Sequence, residues 1–239
     1  MNIYKYSREE KMPEINQFKH FKGVYERDRL MLTKSLAPGI KVYGEDIFSV
    51  RNDEGEKIEF RVWDPKRSKL GAALKKDVSQ IGIKENDYVL YLGCSSGTTV
   101  SHVSDIVGKN GLIFALDFAP RVLRDMVFVA ETRKNIAPIL ADANKPQTYE
   151  NQVSEVDTVF MDIAQKNQSE IFLKNCKMFL KQGGFGLLAV KARSIDVSKH
   201  PKDVYKKIRD ELEREMAVVD YRELDPFEMD HAIFVCKKK

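Results

Sequence analysis

The sequence contains few cysteines and no long apolar run, and both absences exclude classes of protein. Three of its 239 residues are cysteines, Cys94, Cys176 and Cys236, which lie far apart and form no C-x-x-C motif. A disulfide framework or a zinc site is therefore not expected, and the thiols are predicted to be buried and free. No apolar run approaches the length of a membrane span, and no apolar core of a signal peptide follows residues 1–8. We expect a cytoplasmic protein, or a nuclear one if the source cell has a nucleus, with no metal and no membrane partner.

Neither sign of charge dominates. The chain has 40 basic and 36 acidic side chains, and their net charge of +4 is too small to indicate nucleic-acid binding by itself. The basic residues are unevenly distributed, because six of them and one acid lie in residues 61–76, and seven of them and two acids lie in residues 191–209. Such clusters suit a polyanionic partner, although either cluster alone more often forms a solvated surface.

Residues 1–65 differ from the rest of the chain. Residues 41–50 and 56–63 have the composition of β-strands, and Asn52-Asp53-Glu54-Gly55 between them is typical of a hairpin turn. We therefore predict a small N-terminal antiparallel β subdomain over 1–65 and a second domain over 66–239. The second domain begins with a basic segment in which apolar spacing predicts a helix over 68–81.

From Asp87 onward, apolar strands alternate with amphipathic helices, which predicts an α/β fold with a parallel sheet and helices on both faces. The expected strands are 88–92, 112–116, 136–140, 158–161 and 186–190, and the clearest helices are 120–134 and 168–180. After a helix at 201–216, strands at 218–224 and 232–236 are joined by a connection too short for a parallel crossover, so this last pair is expected to be antiparallel. By analogy, a doubly wound (Rossmann-like) sheet with a reversed last strand indicates a class I S-adenosylmethionine (SAM) methyltransferase.

A cofactor site is expected at the carboxyl ends of the strands. Gly93 and Gly97 follow the first strand as G-x-x-x-G, where small residues allow a ligand to approach the backbone closely. The motif lacks the central glycine of a dinucleotide fingerprint. Asp117 ends the next strand and could accept hydrogen bonds from ribose hydroxyls. An adenosyl cofactor is favoured, with a tight turn and a helix N-terminal charge as the alternative.

Two later strands also end in polar residues. Asp142 and Ala143 follow the third strand, and Asp162 and Gln165 belong to a segment after the fourth. These ends converge on one crevice in an open α/β sheet, so the residues are candidates for the same site. Asp142 alone is more often a helix N-cap.

Four residues are candidates for acid–base chemistry. Lys191 directly follows a buried strand, Asp162 ends the neighbouring strand, His231 begins the last strand, and Lys69 lies in the basic segment. A lysine acts as a base only where burial or a nearby cation lowers its pKa. The alternatives are a surface lysine for Lys69, a structural histidine for His231, and a salt-bridge partner of Lys191 for Asp162.

Several motifs together resemble the fibrillarin family of RNA 2′-O-methyltransferases, in its short archaeal form. They are D-P-K-R-S-K-L at 64–70, S-G-T-T-V-S-H-V at 96–103, F-A-P-R at 118–121, L-A-D-A-N-K-P at 140–146, D-I-A-Q at 162–165, V-K-A-R-S-I-D at 190–196 and P-F-E-M-D-H at 226–231. They keep the family's order over nearly the whole chain, and those around Gly97 and Lys191 are specific to it. Asp117 stands where many relatives have glutamate, and Cys94 stands where alanine is usual.

The resemblance implies residue roles. Lys191 would be the base, Asp162 would orient it, and the cationic methyl donor would favour its neutral form. Lys69 and His231 would position the ribose or stabilise charge. The implied contacts with SAM are Gly93, Thr98, Thr99, Asp117, Phe118, Asp142, Ala143, Asp162 and Gln165.

The resemblance also implies a box C/D ribonucleoprotein. Its partners would be a guide RNA, a Nop-domain scaffold protein, a kink-turn-binding subunit like a ribosomal protein, and target rRNA and tRNA. The modest net charge predicts weak activity for the chain alone. The absence of a glycine- and arginine-rich N-terminal segment favours the cytoplasmic archaeal form over the nucleolar one.

Three other functions remain alternatives. The first is a stand-alone methyltransferase that acts on a base, a protein or a small molecule. A base-modifying enzyme is expected to have an N-P-P-Y-type motif or a cysteine nucleophile after the fourth strand, where this chain has D-I-A-Q. The missing central glycine argues against a nicotinamide-dependent oxidoreductase. A non-catalytic RNA-binding subunit is expected to have lost Lys191 or Asp162, and both are present.

Overall fold

The computed structural model describes residues 15–52 and 54–239, which form two β-sheets and the helices that cover them. The expectation for residues 1–8, and Asp53 of the expected turn, lie outside the described residues. The strands are β1 (Asn16–Gln17), β2 (Val24–Arg27), β3 (Leu30–Lys34), β4 (Ile47–Arg51), β5 (Lys57–Val62), β6 (Tyr88–Leu92), β7 (Leu112–Asp117), β8 (Ile136–Leu140), β9 (Val156–Met161), β10 (Leu180–Lys191), β11 (Met216–Glu223) and β12 (His231–Lys238). The α-helices are α1 (Lys69–Lys75), α2 (Thr98–Val107), α3 (Pro120–Thr132), α4 (Gln168–Phe179), α5 (Ala192–Ile195) and α6 (Pro201–Glu213).

The N-terminal sheet is antiparallel, with strand order β1-β2-β3-β5-β4. The predicted hairpin is its β4–β5 pair, and in the turn the Asn52 side chain accepts hydrogen bonds from the backbone N–H groups of Glu54 and Glu56. The prediction of a strand over 41–46 was wrong. The Glu45 carboxylate accepts the N–H groups of Val42 and Tyr43, which folds this segment into a loop.

The large sheet confirms the predicted fold class. Its order is β11-β12-β10-β9-β6-β7-β8, and the neighbours from β10 to β8 are parallel. Strand β12 runs antiparallel to both β10 and β11, which is the expected reversed last strand. Strand β6 lies between β9 and β7. From β6 the chain first adds strands on one side of the sheet and later on the other, and a crevice opens at the carboxyl end of β6, where the order reverses.

Helix α1 is shorter than the predicted helix over 68–81. It begins where the Ser68 hydroxyl accepts the N–H of Gly71, and it ends at Lys75. Asp77 has a φ of +57°, a left-handed conformation that stops the helix. Val78 and Ile81 are buried as their apolar character predicts, but they lie beyond the end of the helix. The spacing therefore identified the buried face and overestimated the helix length.

A buried ion network joins the N-terminal sheet to two helices that cover the large sheet. Arg61 on β5 donates hydrogen bonds to Glu45 and to Asp105 on α2, and Arg133 also donates to Asp105. These arginine and aspartate side chains are fully buried, and such charges are tolerated because they are paired. Arg61 therefore contributes nothing to the basic surface that residues 61–76 suggested. The network fixes the N-terminal sheet against α2, whose first turn borders the crevice.

The apolar core also crosses between the sheets. One buried cluster includes Met31 and Trp63 from the N-terminal part together with Leu70 and Val100. The division into domains at 1–65 and 66–239 stays a prediction. The three cysteines are buried and free, as expected. Within residues 15–52 and 54–239, no helix has the length and apolarity to cross a bilayer, and no cluster of metal-ligating side chains occurs.

Candidate active site

Two adjoining cavities form one cleft above the carboxyl ends of the central strands. The first, of about 360 Å³, contains both candidate lysines and is called the lysine cavity. The second, of about 290 Å³, contains Asp117 and Asp142 and is called the aspartate cavity. Both are lined by Gly93, Ser95, Asp162, Ile163 and Ala164. The shared wall makes the two cavities parts of a single site.

All four candidates for acid–base chemistry line the lysine cavity, together with Gly93, Thr98 and Thr99. Lys69 is the first residue of α1 and reaches the cleft because its helix is tied to α2. The Thr99 hydroxyl donates a 3.0 Å hydrogen bond to the hydroxyl of Ser68, the N-cap of α1. Local packing therefore brings a residue of the basic segment to the strand ends.

Lys69 and Asp162 form an ion pair. Lys69 Nζ donates a hydrogen bond of 2.9 Å to Asp162 Oδ2, and both side chains are partly exposed. The resemblance implied that Asp162 orients Lys191, and the structure gives this carboxylate a different partner. Within the described part of the chain, no carboxylate oxygen lies within 4.0 Å of Lys191 Nζ. The physical reason is that α1 brings Lys69 to Asp162, while Lys191 at the end of β10 lines the same cavity as an exposed residue.

Lys191 and His231 lie opposite each other on two adjacent strands. They are opposite residues in the antiparallel register of β10 and β12, so their side chains can reach the same point of the cavity. His231 Nδ1 lies 2.7 Å from the carbonyl oxygen of Met229, and burial lowers the pKa of the imidazole. A carbonyl can only accept a hydrogen bond, so Nδ1 carries the proton and Nε2 is left as an acceptor.

Both glycines of the loop after β6 have left-handed backbone conformations. Gly93 has a φ of +84°, and a Cβ there would lie 2.6 Å from the carbonyl oxygen of Asp162. Gly97 has a φ of +93° and is the N-cap of α2. Any larger residue at Gly93 would therefore push the Asp162 segment away and change the wall that both cavities share.

The aspartate cavity offers hydrogen-bond acceptors beside an exposed aromatic ring. Asp117 ends β7, and its two carboxylate oxygens accept the N–H groups of Ser95 and Ala119 at 3.1 and 3.0 Å. Each oxygen keeps a lone pair for a ligand hydroxyl. The neighbouring Phe118 is 68% exposed, which is unusual for a phenylalanine and leaves a ring face for stacking.

The far wall of this cavity is held by an amide network. Asp142 accepts two hydrogen bonds from Asn144, and these bonds, with the nearby charge of Lys145, hold the pKa of its carboxyl below the ordinary value. Asn144 also donates to Gln165 Oε1 at 3.1 Å. Asp142 is therefore part of a side-chain-stabilised turn and not a helix N-cap, and its partner Asn144 links the segments after β8 and β9. Ala143, between Asp142 and Asn144 in the sequence, is buried and lines the aspartate cavity.

Sequence reasoning missed further residues of the lysine cavity. Among them are Arg67, Tyr91, Ser96 and Gln168. Tyr91 is a buried tyrosine inside an apolar strand, and burial raises its pKa well above the ordinary value. Its position before Gly93 could have suggested a role. Gln168 begins α4 and gave no signal, because a glutamine in a first helical turn is ordinary.

Comparison with known proteins finds one family whose members are similar to this chain over nearly its whole length. The model of the family described as "Fibrillarin" matches residues 15–239. The fibrillarin-like rRNA/tRNA 2′-O-methyltransferase of Thermococcus onnurineus is 50% identical over 223 residues, which cover 91% of this chain and 96% of that protein. Aeropyrum pernix fibrillarin, solved in complex with natively bound S-adenosyl-L-methionine, is 43% identical with a TM-score of 0.84, over 93% of this chain and 97% of that one. A chain of a crystallised fibrillarin/Nop5p complex is 38% identical with a TM-score of 0.81, over 91% and 98% of the two chains.

Proposed function

The chain belongs to the fibrillarin family, and we propose that it transfers the methyl group of SAM to a ribose 2′-hydroxyl of rRNA and tRNA. The observation that carries this proposal is the meeting of Lys69, Asp162, Lys191 and His231 in one cavity that adjoins the aspartate cavity. A methyl transfer to a hydroxyl needs a proton acceptor and a stabilising charge beside the donor site, and these residues provide both.

The aspartate cavity fits the adenosyl part of this cofactor. The free lone pairs of Asp117 suit the ribose hydroxyls, the exposed ring of Phe118 suits the face of an adenine, and the turn at Asp142 and Ala143 suits its edge. Gly93 and the Asp162 segment lie close together at the wall that this cavity shares with the lysine cavity. When bound, SAM supplies an electrophilic methyl group on a positively charged sulfur.

Lys191, in its neutral form, accepts the proton of the target hydroxyl as the oxygen bonds to the methyl carbon. SAM, if bound there, would supply the methyl carbon and keep the electron pair of the carbon–sulfur bond, so that it would leave as a neutral sulfide. The ammonium group of Lys69 is held by Asp162 and lies in the cavity where the oxygen becomes negative. His231 Nε2 can accept a hydrogen bond from a ribose hydroxyl and so hold the sugar.

We further propose that the chain works in the cytoplasm as the catalytic subunit of a box C/D ribonucleoprotein. A guide RNA would select the target, a Nop-domain scaffold would hold the enzyme, and a kink-turn-binding subunit would anchor the RNA. A similar chain was crystallised as a fibrillarin/Nop5p complex, which supports the scaffold partner. The burial of Arg61 leaves fewer basic residues for RNA on the surface, which supports dependence on partners.

The test is the transfer of labelled methyl groups from SAM to a guided RNA target by the reconstituted ribonucleoprotein. We expect label on one 2′-hydroxyl with the wild-type protein and its loss with Lys191→Ala. Label on a base or on protein would contradict the ribose assignment. Equal labelling by both proteins would contradict the role of Lys191. Strong labelling by the isolated chain at physiological salt would contradict its dependence on partners.

A further inference from the structure

Gln168 has a buried carboxamide without a hydrogen-bond partner beside the catalytic residues. Its side chain is fully buried, and neither Oε1 nor Nε2 has a partner among the described residues. Most buried side-chain polar atoms in proteins are hydrogen-bonded, because leaving them unpaired destabilises the folded state. Gln168 also lines the lysine cavity. A costly polar group at this place suggests a partner that is engaged during the reaction.

A second buried amide on the same helix has all its partners. Asn175 Nδ2 donates to the carbonyl oxygens of Ala143 and Ile171, and its Oδ1 accepts from the Tyr149 hydroxyl. The buried amide of Asn175, which has a structural role, is therefore fully hydrogen-bonded. The contrast makes Gln168 an exception on its own helix.

The position of Gln168 relates it to Lys191. Gln168 is the first residue of α4, which packs on β9 and β10. Lys191 is the last residue of β10, and both side chains line the same cavity. Asp162, the carboxylate of that cavity, is bonded to Lys69, and among residues 15–52 and 54–239 no carboxylate lies within 4.0 Å of Lys191 Nζ.

We propose that Gln168 is a positioning residue for Lys191, whose Nζ donates a hydrogen bond to Gln168 Oε1 when the target is bound. This inference rests on the proposed function. The flexible stem of a lysine permits the movement. A neutral amine has two N–H groups and one lone pair, so a hydrogen bond through one N–H directs the lone pair. The target hydroxyl then gives its proton to Nζ.

A neutral acceptor suits this task better than a carboxylate. A carboxylate beside a lysine stabilises the ammonium form, which cannot accept a proton. A carboxamide orients the nitrogen without adding a negative charge. The remaining ionisable groups of the cavity are Arg67 from the 3-10 turn before α1, Lys69 from α1, Tyr91 from β6, Cys94 from the loop after β6, Asp162 after β9 and His231 from β12.

The experiment measures single-turnover methylation by the reconstituted ribonucleoprotein at saturating SAM and RNA, as a function of pH. Gln168→Met keeps the side-chain shape and removes the acceptor, and we expect the rate to fall about tenfold or more. Gln168→Glu adds a carboxylate, and we expect the rising limb of the pH–rate profile to move up by about one unit. Neither variant should change the affinity for SAM.

Thermal unfolding of the free protein separates this role from a structural one. Gln168→Met removes an unpaired buried amide, so we expect an unchanged or higher Tm. The control is Asn135→Leu, which removes a buried amide bonded to Ser104 and Gly108 far from the cleft. It should lower Tm and leave the rate per folded protein unchanged.

The outcomes distinguish this inference from the proposed function. If the wild-type protein does not methylate a ribose, or Lys191→Ala is fully active, the proposed function itself fails. If both behave as proposed while the Gln168 variants keep the wild-type rate and pH profile, only the positioning role is overturned. A weaker affinity of Gln168→Met for SAM or for the target, at an unchanged rate, would overturn it as well and make Gln168 a binding residue.

Discussion

Lys69 Nζ donates a hydrogen bond to Asp162 Oδ2 although the two residues are 93 positions apart in the sequence. The pair closes one side of the lysine cavity and decides which of the two lysines is held by a carboxylate. If it acts as a unit, the two side chains should contribute to the rate non-additively.

A double-mutant cycle tests this coupling. We expect Lys69→Met and Asp162→Asn each to slow single-turnover methylation by about tenfold to hundredfold, and the double variant to be little slower than the worse single one. Their effect on the free energy of unfolding should be small because the pair is partly exposed. Rates that multiply independently would show that the pairing has no part in catalysis.

Replacing Lys191 should remove the proton acceptor. We expect Lys191→Ala to slow the chemical step by about 10²- to 10⁴-fold at unchanged affinity for SAM, as measured in single-turnover reactions. Lys174→Ala is a matched control, because Lys174 is a surface lysine paired with Glu170 on α4. A similar loss in both variants would assign the effect to general charge and not to Lys191.

Asp117 should determine the affinity for the cofactor. Asp117→Ala removes two acceptor oxygens that face the aspartate cavity, so we expect the Kd for SAM to rise about tenfold to hundredfold in calorimetric titration. The control is Asp125→Ala on the exposed side of α3. An unchanged Kd for Asp117→Ala would mean that the adenosyl group lies elsewhere.

Arg61 should matter for stability and not for RNA binding. Arg61→Met leaves the buried Glu45 without its cation and Asp105 with Arg133 alone, so we expect the free energy of unfolding to fall by about 3–5 kcal/mol in urea titration. Arg51→Met, on the exposed edge strand β4, should change it by about 0.5 kcal/mol or less. Equal stability of the two variants would contradict the structural role of the network.

His102 should make the fold sensitive to mild acid. Burial, with Arg61 and Arg133 nearby, holds the pKa of this histidine well below its ordinary value of 6.5. Below pH 6.5 this histidine binds a proton in the unfolded chain but stays neutral in the folded protein. Its contribution to the free energy of unfolding is therefore fully present above pH 6.5 and is lost as the pH falls below that value.

Urea titrations at several pH values measure this slope. We expect His102→Gln to flatten the decrease in stability between about pH 6.5 and 5, and the exposed control His20→Gln to keep it. An unchanged slope in His102→Gln would assign the acid sensitivity to another group, such as His231, whose pKa burial also lowers.

Much of the fold could be predicted because its pattern is local. The strands β6 and β8 have the predicted bounds, and the antiparallel β11–β12 pair follows from the short connection between them. The errors at residues 41–46 and 76–81 arose where a side chain or a left-handed residue overrode propensity. The Glu45 carboxylate bends the first segment, and Asp77 ends α1.

The sequence alone determined the alternation of strands and helices, the glycine-rich loop and the polar residues at the strand ends, because these depend on spacing along a few residues. Only the tertiary structure decided which side chains pair. Lys69 and not Lys191 meets Asp162, Arg61 is buried and not basic surface, and Gln168 reaches the cavity without a partner. Such choices depend on how distant elements pack, since a hydrogen bond or ion pair forms only between groups that the whole fold brings within about 3 Å.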